Sequence, residues 1–415
     1  MSVVQKLNSQ EAISLEDKYG AHNYHPLPVV LSKGEGVYLW DVEGKKYFDF
    51  LSAYSAVNQG HCHPKIIEAL NAQSKELTLT SRAFYNDKLG VYEKFVTQYF
   101  GFDKVLPMNT GAEAVETAIK LCRKWAYEKK NIPQDQAKIV VCGNNFHGRT
   151  TTIISFSNDP DARENFGPYS NGFISIAYDD IQALKTTLEN DKNIAGFLVE
   201  PIQGEAGVYV PQDGYLSEVK QLCEEHQVLF IADEVQTGIA RTGELLACDH
   251  EQVKPDILIL GKAISGGVYP VSVVLANNHI MDVIKPGQHG STFGGNPLAA
   301  EVAMAALKVV EDESLAENAQ KLGQLFRQKM NQYIDSKSDK SLVKLVRGKG
   351  LLNAIVVDDT EDGDLAWNIC LKLSENGLLA KPTHGNIIRF APPLVMTQDQ
   401  LEECVAIIVS TLDEF

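Results

Sequence analysis

The chain has 415 residues, 44% of them hydrophobic and 22% charged, the balance of an ordinary globular protein too long for one small core, so two or three domains are expected. Lys+Arg of 38 against Asp+Glu of 54 leaves a net charge of −16, a field that repels phosphate backbones and excludes nucleic acid as a natural partner. No apolar run approaches the roughly 20 residues a membrane helix needs, and the seven cysteines (62, 122, 142, 223, 248, 370 and 404) form no CxxC pair, so they read as reduced and intracellular.

The first forty residues carry acids and no arginine, the first being Arg82, so no secretory signal or transit peptide is read there and a cytoplasmic location is expected. Two prolines keep Tyr19 to Pro28 extended. Val37 to Phe50 reads as two strands around a Glu-Gly turn, a hairpin. His61-Cys62-His63 has the residue types of a metal site but no second Cys/His group, and Pro64 opens a helix with apolar residues at 66, 67 and 70. Thr110 with Glu113 three residues on is a capping box, and the small residues Gly111-Ala112 at that helix entry suit a phosphate, as they would at any capped helix.

Strands are expected at Lys138–Cys142, Phe197–Val199, Val228–Asp233 and Ile257–Leu260, alternating with helices to about residue 280, the pattern of a mostly parallel sheet. Residues 287–297 form a Gly-rich loop, and Leu298 begins an Ala-rich amphipathic helix that continues to about 330. Ser336 to Ser341 is a polar loop. Arg347–Val357 and Leu378–Phe390 supply the strands of a final α+β unit.

The chemistry concentrates on Pro255 to Gly267. Four aliphatic residues run unbroken, as in a strand covered on both faces, and Lys262 follows where that strand would end, the place where parallel sheets gather ligands. A lysine there either reaches solvent or is chemically consumed, for instance as a Schiff base with a carbonyl cofactor. Val228 to Gly238 repeats the design and ends on Asp233, which is either a helix cap or a charged partner at the same rim. Pyridoxal phosphate needs such a pair, an amine for its aldehyde and a carboxylate for its pyridine nitrogen.

With Gly111, Asp233, Gln236, Lys262 and Thr292 in that order, and with Ser55 to Pro64, Val199 to Gly207, His289 to Pro297 and Gly377 to Pro393, the chain resembles the class III, fold-type-I pyridoxal-phosphate aminotransferases over nearly its whole length. The resemblance implies an α/β fold: a large domain with a mostly parallel sheet flanked by helices (61–297), a bridging helix (298–330), and a small α+β domain made from 1–60 and 331–415. It implies pyridoxal 5′-phosphate held by Lys262, with Asp233 on the pyridinium, Gln236 at the phenolic oxygen, Phe146 on the ring face, and Gly111 and Ala112 at the phosphate. Ser291 and Thr292 would come from the partner subunit of a homodimer or higher homo-oligomer.

Tyr24, Tyr54, Arg149, Glu200, Glu205 and Arg389 would contact substrate. The implied reaction moves the δ-amino group of ornithine to 2-oxoglutarate, yielding glutamate; N-acetylornithine or 4-aminobutyrate are the alternative amines, and a silent cofactor-binding interaction protein is the alternative from another class. Glu205 would neutralise Arg389 while ornithine reacts and release it for the diacid. One departure is His147, where some members of the family carry tryptophan and others histidine.

Overall fold

The computed structural model describes residues 7–337 and 341–415. After a helix at Ser9–Tyr19, strands β1 (Leu31–Glu35), β2 (Tyr38–Asp41) and β3 (Lys46–Asp49) form an antiparallel meander. The expected hairpin is β2–β3. β1 has no counterpart in the sequence reading, because Leu-Ser-Lys-Gly-Glu offers a single apolar residue and no alternation.

The large sheet contains β4 (Lys104–Met108), β5 (Lys138–Cys142), β6 (Phe173–Ile176), β7 (Ile194–Val199), β8 (Leu229–Asp233), β9 (Ile257–Leu260) and β10 (Ser272–Ala276), in the order β4-β10-β9-β8-β7-β5-β6. Only β10 runs against its neighbours. Every residue of β7, β8, β9 and β10 is buried, which explains their unbroken apolar runs. Side chains alternate between two cores: Ile139, Val141, Leu198 and Ile231 pack under the helix Gly111–Glu128, while Val140, Cys142, Phe197 and Phe230 meet the helices on the other face.

A second antiparallel sheet is built from β11 (Val343–Lys349), β12 (Leu352–Val357), β14 (Lys381–His384) and β15 (Ile387–Phe390), in the order β11-β12-β15-β14. The intervening β13 (Leu378–Leu379) instead pairs in parallel with β3 and completes the N-terminal sheet. Phe50, Phe326 and Phe390 share one core, with ring centres 5.8 and 5.7 Å from Phe390.

The stretch read as one helix from 298 is two, Pro297–Asp312 and Leu315–Lys337, because Ser314 adopts φ +47, which no right-handed helix tolerates. The polar loop expected at 336–341 falls largely on 338–340, outside the described residues; Ser336 and Lys337 still belong to the helix. Among the described residues no helix is long and apolar enough to cross a membrane.

β8 and β9 are parallel neighbours with Asp233 opposite Ile259, so Asp233 and Lys262 emerge at the same edge of the sheet. β7 delivers Glu200 to that edge, and β5 delivers the loop to Phe146 and His147. β15 brings Arg389 from the small sheet.

Candidate active site

Lys262 opens a 3-10 turn, Lys262–Ser265, with φ +46, a left-handed conformation that costs a non-glycine residue on the order of 1–3 kcal/mol. The surroundings hold it there. Gln59 Nε2 donates to Ala263 O at 2.9 Å and Ala306 O at 3.2 Å, and a Cβ on Gly266 would lie 2.5 Å from Ile66 Cδ1. Burial pushes the lysine amine below its ordinary pKa, and the charge of Glu205 only partly opposes this. The amine is therefore a better nucleophile at neutral pH than a surface lysine.

Asp233 Oδ1 accepts from Val235 N at 3.1 Å, and Oδ2 lies 2.6 Å from His147 Nδ1. Both side chains are buried. Burial pulls the imidazole down in pKa, but the hydrogen bond and charge of Asp233 outweigh it, so His147 titrates above its ordinary value. Its Nε2 is buried and unpartnered among the described residues. Glu200 is buried beside this pair and accepts from Phe146 N at 2.9 Å; burial raises its carboxyl to about 7, against the pull of His147.

Arg389 is buried, and its Nη1 donates to Glu205 Oε2 at 2.9 Å, to Gly204 O at 3.1 Å and to Gln236 Oε1 at 3.3 Å. Burial acts to raise the Glu205 carboxyl, but the charge and hydrogen bond of Arg389 prevail and hold it below the usual range. The Arg389 guanidinium lies 5.2 Å from the centre of the Tyr54 ring. Tyr54 stands on a left-handed turn in which Ser52, Ala53, Tyr54 and Ser55 all have positive φ, from 45° to 71°. Its phenol is raised in pKa by burial and by Glu205.

A cleft of about 170 Å³ is lined by Gly111, Ala112, Phe146, His147, Asp233, Gln236 and Lys262, among others. Gly111 and Ala112 start the helix Gly111–Glu128, whose capping box is formed by Thr110 and Glu113. Arg149 is exposed at the rim, 5.8 Å from the Phe146 ring centre, and Tyr24 is exposed as well. Ser291 and Thr292 do not reach this cleft within one chain; they line a separate opening with Ser81 and Arg82, and Ser291 Oγ accepts from Asn109 Nδ2 at 2.8 Å. His61 is bonded to Asp49 at 2.6 Å and His63 to Glu313 at 3.1 Å.

One contributor lacks a sequence rationale. His147 reads as a family variant, not as the partner of Asp233; a polar residue beside Phe146 in a glycine-flanked loop is the one available signal.

The pattern of "Aminotransferase class-III" matches residues 19–412. The chain belongs to the class-III aminotransferases. A Drosophila melanogaster protein named "Ornithine aminotransferase, mitochondrial" is 63% identical over 404 residues, 97% of this chain and 92% of that protein. Its namesake in Rattus norvegicus is 59% identical over 98% of this chain and 91% of its own length. Among solved structures, the ornithine aminotransferase of Toxoplasma gondii superposes with a TM-score of 0.96 at 49% identity, covering 99% of this chain and 95% of that one. A protein titled acetylornithine aminotransferase from Elizabethkingia anophelis gives a TM-score of 0.90 at 64% identity, covering 99% and 100%. The mixed α/β fold is thus that of the pyridoxal-phosphate aminotransferases.

These relatives correct one expectation. The cytoplasmic location inferred from the missing transit peptide is overturned by the fly and rat proteins, both named mitochondrial. The lack of arginine in the first forty residues is a compositional sign and does not fix where the chain works.

Proposed function

We propose that this enzyme transfers the δ-amino group of L-ornithine to 2-oxoglutarate with pyridoxal 5′-phosphate as cofactor, giving L-glutamate and glutamate 5-semialdehyde, which cyclises to pyrroline-5-carboxylate. The observation that carries the reading is the Glu205–Arg389 contact, joined to the cleft through Gln236. A free Arg389 would draw ornithine in by its α-carboxylate and bring the α-amine to the reacting position; with Glu205 upon it, that attraction is cancelled and the δ-amine is the end that enters.

The residues fit the cofactor. The cleft combines an amine of lowered pKa, a buried carboxylate, an aromatic face and a helix N-terminus, and the buried Nε2 of His147 and Nε of Arg389 are left without partners in the described protein. When bound, the group supplies an electron sink through which an amine and a keto acid exchange their nitrogen. Lys262 would hold its aldehyde carbon and carry a proton to and from the substrate carbon. Asp233, fixed by His147, would keep the ring nitrogen protonated, with Gln236 at the ring oxygen and Phe146 on its face. The N–H groups of Gly111 and Ala112 would receive the phosphate. Tyr24 and Tyr54 would orient the α-amino acid end of ornithine, with Glu200 behind the reacting centre. For 2-oxoglutarate, Arg389 would take the α-carboxylate and Arg149 the distal one, a task that suits the planar guanidinium fork. Ser291 and Thr292 would complete the site of a second copy, making a homodimer the working unit.

The second reading is N-acetylornithine as amine, favoured by the Elizabethkingia anophelis likeness. Rates on ornithine, N-acetylornithine and 4-aminobutyrate decide between them: the proposal requires ornithine to be preferred and pyrroline-5-carboxylate to accumulate, and a preference for N-acetylornithine overturns it.

A further inference from the structure

If Glu205 is to leave Arg389 and return, the loop that carries it must keep its place, and the small sheet holds that loop from two sides. Residues Gln203 to Tyr209 close on themselves: Gln203 N donates to Tyr209 O at 3.1 Å, Tyr209 N to Gln203 O at 3.0 Å, and Gly207 N to Gly204 O at 3.2 Å. Across the small sheet, Arg347 of β11 is opposite Ala354 of β12, and Ala354 is opposite Arg389 of β15. The three residues form one row, so both arginines rise from the same face, flanking the small Ala354.

The loop seats itself in that gap. Ile202 and Val208 pack with Ala354 and Ile387 in one buried cluster. On one flank Arg389 Nη1 donates to Gly204 O at 3.1 Å. On the other, Arg347 Nε donates to Gly207 O at 2.9 Å, and its guanidinium lies 3.8 Å from the centre of the Tyr209 ring. The backbone has no room to shift inward. A Cβ on Gly207 would be 2.8 Å from Ile387 Cδ1, and one on Gly204 only 1.7 Å from Gln236 Oε1. The Glu205 side chain itself keeps access to water.

We propose that Arg347 is a positioning residue for the Glu205–Arg389 pair: it pins the loop backbone so that Glu205 exchanges Arg389 for solvent by side-chain rotation alone and returns to the same place. The inference rests on the ornithine reading, because it is that reaction which needs Arg389 masked in one half and free in the other. Arg347 bonds to Gly207 and stacks on Tyr209, neither of which lines the cleft, so its removal acts through Glu205.

The test uses the purified holoenzyme with ornithine and glutamate as competing amino donors. Arg347→Met keeps the aliphatic stem and loses the fork; it should lower the ornithine-to-glutamate ratio of kcat/KM about tenfold, the value of one charge-assisted hydrogen bond. Glu205→Ala should lower the same ratio, and the double variant should show no further loss beyond Glu205→Ala. Tyr209→Leu removes only the stacking partner, should move the ratio in the same direction by less, and stands in for Arg347→Met should that variant fail to fold. If Glu205→Ala shifts the ratio while Arg347→Met and Tyr209→Leu leave it unchanged, or depress both donors equally, the positioning role is overturned. Additive losses in the double variant also overturn it. If Glu205→Ala itself leaves the ratio unchanged, the masking on which both readings depend is what falls.

Discussion

Two short contacts between an acid and a base serve one site, the first in the lining of its cleft and the second tied to that lining through Gln236, and they differ in what surrounds them. Asp233 meets His147 at 2.6 Å with side chains 5% and 0% exposed; Glu205 meets Arg389 at 2.9 Å with side chains 34% and 3% exposed. Breaking the first would strand a charge with no water to receive it, which costs about 3–5 kcal/mol. In the second, Glu205 has solvent to turn to, and only Arg389 would be stranded, a vacancy that a substrate carboxylate can fill. Distance does not separate a permanent contact from an exchangeable one; the burial of the acid does.

The comparison can be broken from several sides. The amine between the two pairs is the first target: Lys262→Ala should lower transamination by more than about a thousandfold while leaving the fold intact. Steady-state turnover close to that of the parent enzyme would remove Lys262 from the reaction. At the permanent pair, Asp233→Ala should weaken cofactor retention and slow turnover on the order of a hundredfold, for both amino donors alike, because the ring loses its counter-charge whichever donor is present. A donor-selective effect there would show that the two pairs are not separate devices. At the exchangeable pair, Glu205→Ala should cost ornithine about tenfold more than it costs glutamate, measured as the ratio of kcat/KM.

The smallest expected effect concerns pH. Glu200 is raised to about 7 by burial, so the folded protein binds its proton more tightly than the unfolded chain does, and stability falls as pH rises from the ordinary carboxylate range through 7. His147, also raised, contributes stability that is lost in the same direction as it deprotonates. The unfolding midpoint of the cofactor-free protein should therefore drop between pH 5 and pH 8, and drop less in Glu200→Gln, which cannot ionise. An identical decline in the variant would show that Glu200 does not titrate there.

Much of the permanent half was legible in the chain. Unbroken aliphatic runs can exist only where a sheet is covered on both faces, so the strands ending at Asp233 and near Lys262 declared themselves and their shared edge. The exchangeable half was less so. Arg389 and Glu205 are far apart in sequence, and their meeting was legible only through family likeness. The row linking Arg347, Ala354 and Arg389 depends on strand register, which a stretch read as a single strand from Arg347 to Val357 conceals: the chain actually turns at Gly350, with φ +52, and doubles back as a hairpin. The His147–Asp233 contact was hidden for a related reason, since loop geometry decides which way a side chain points and no periodicity records it.

The parallel pairing of β3 with β13 ties the beginning of the chain to its end. During synthesis the N-terminal meander must wait, one edge bare, while some three hundred residues are made before Leu378 and Leu379 arrive to cover it. The strands of the large sheet are complete at Ala276, and the helix Pro297–Asp312 that shares a core with Leu258, Leu260, Val273 and Leu275 follows directly, so that sheet can assemble in the interval. The half of the cleft that carries Lys262 is thus available to form on the nascent chain, whereas the half that carries Arg389 is delivered last.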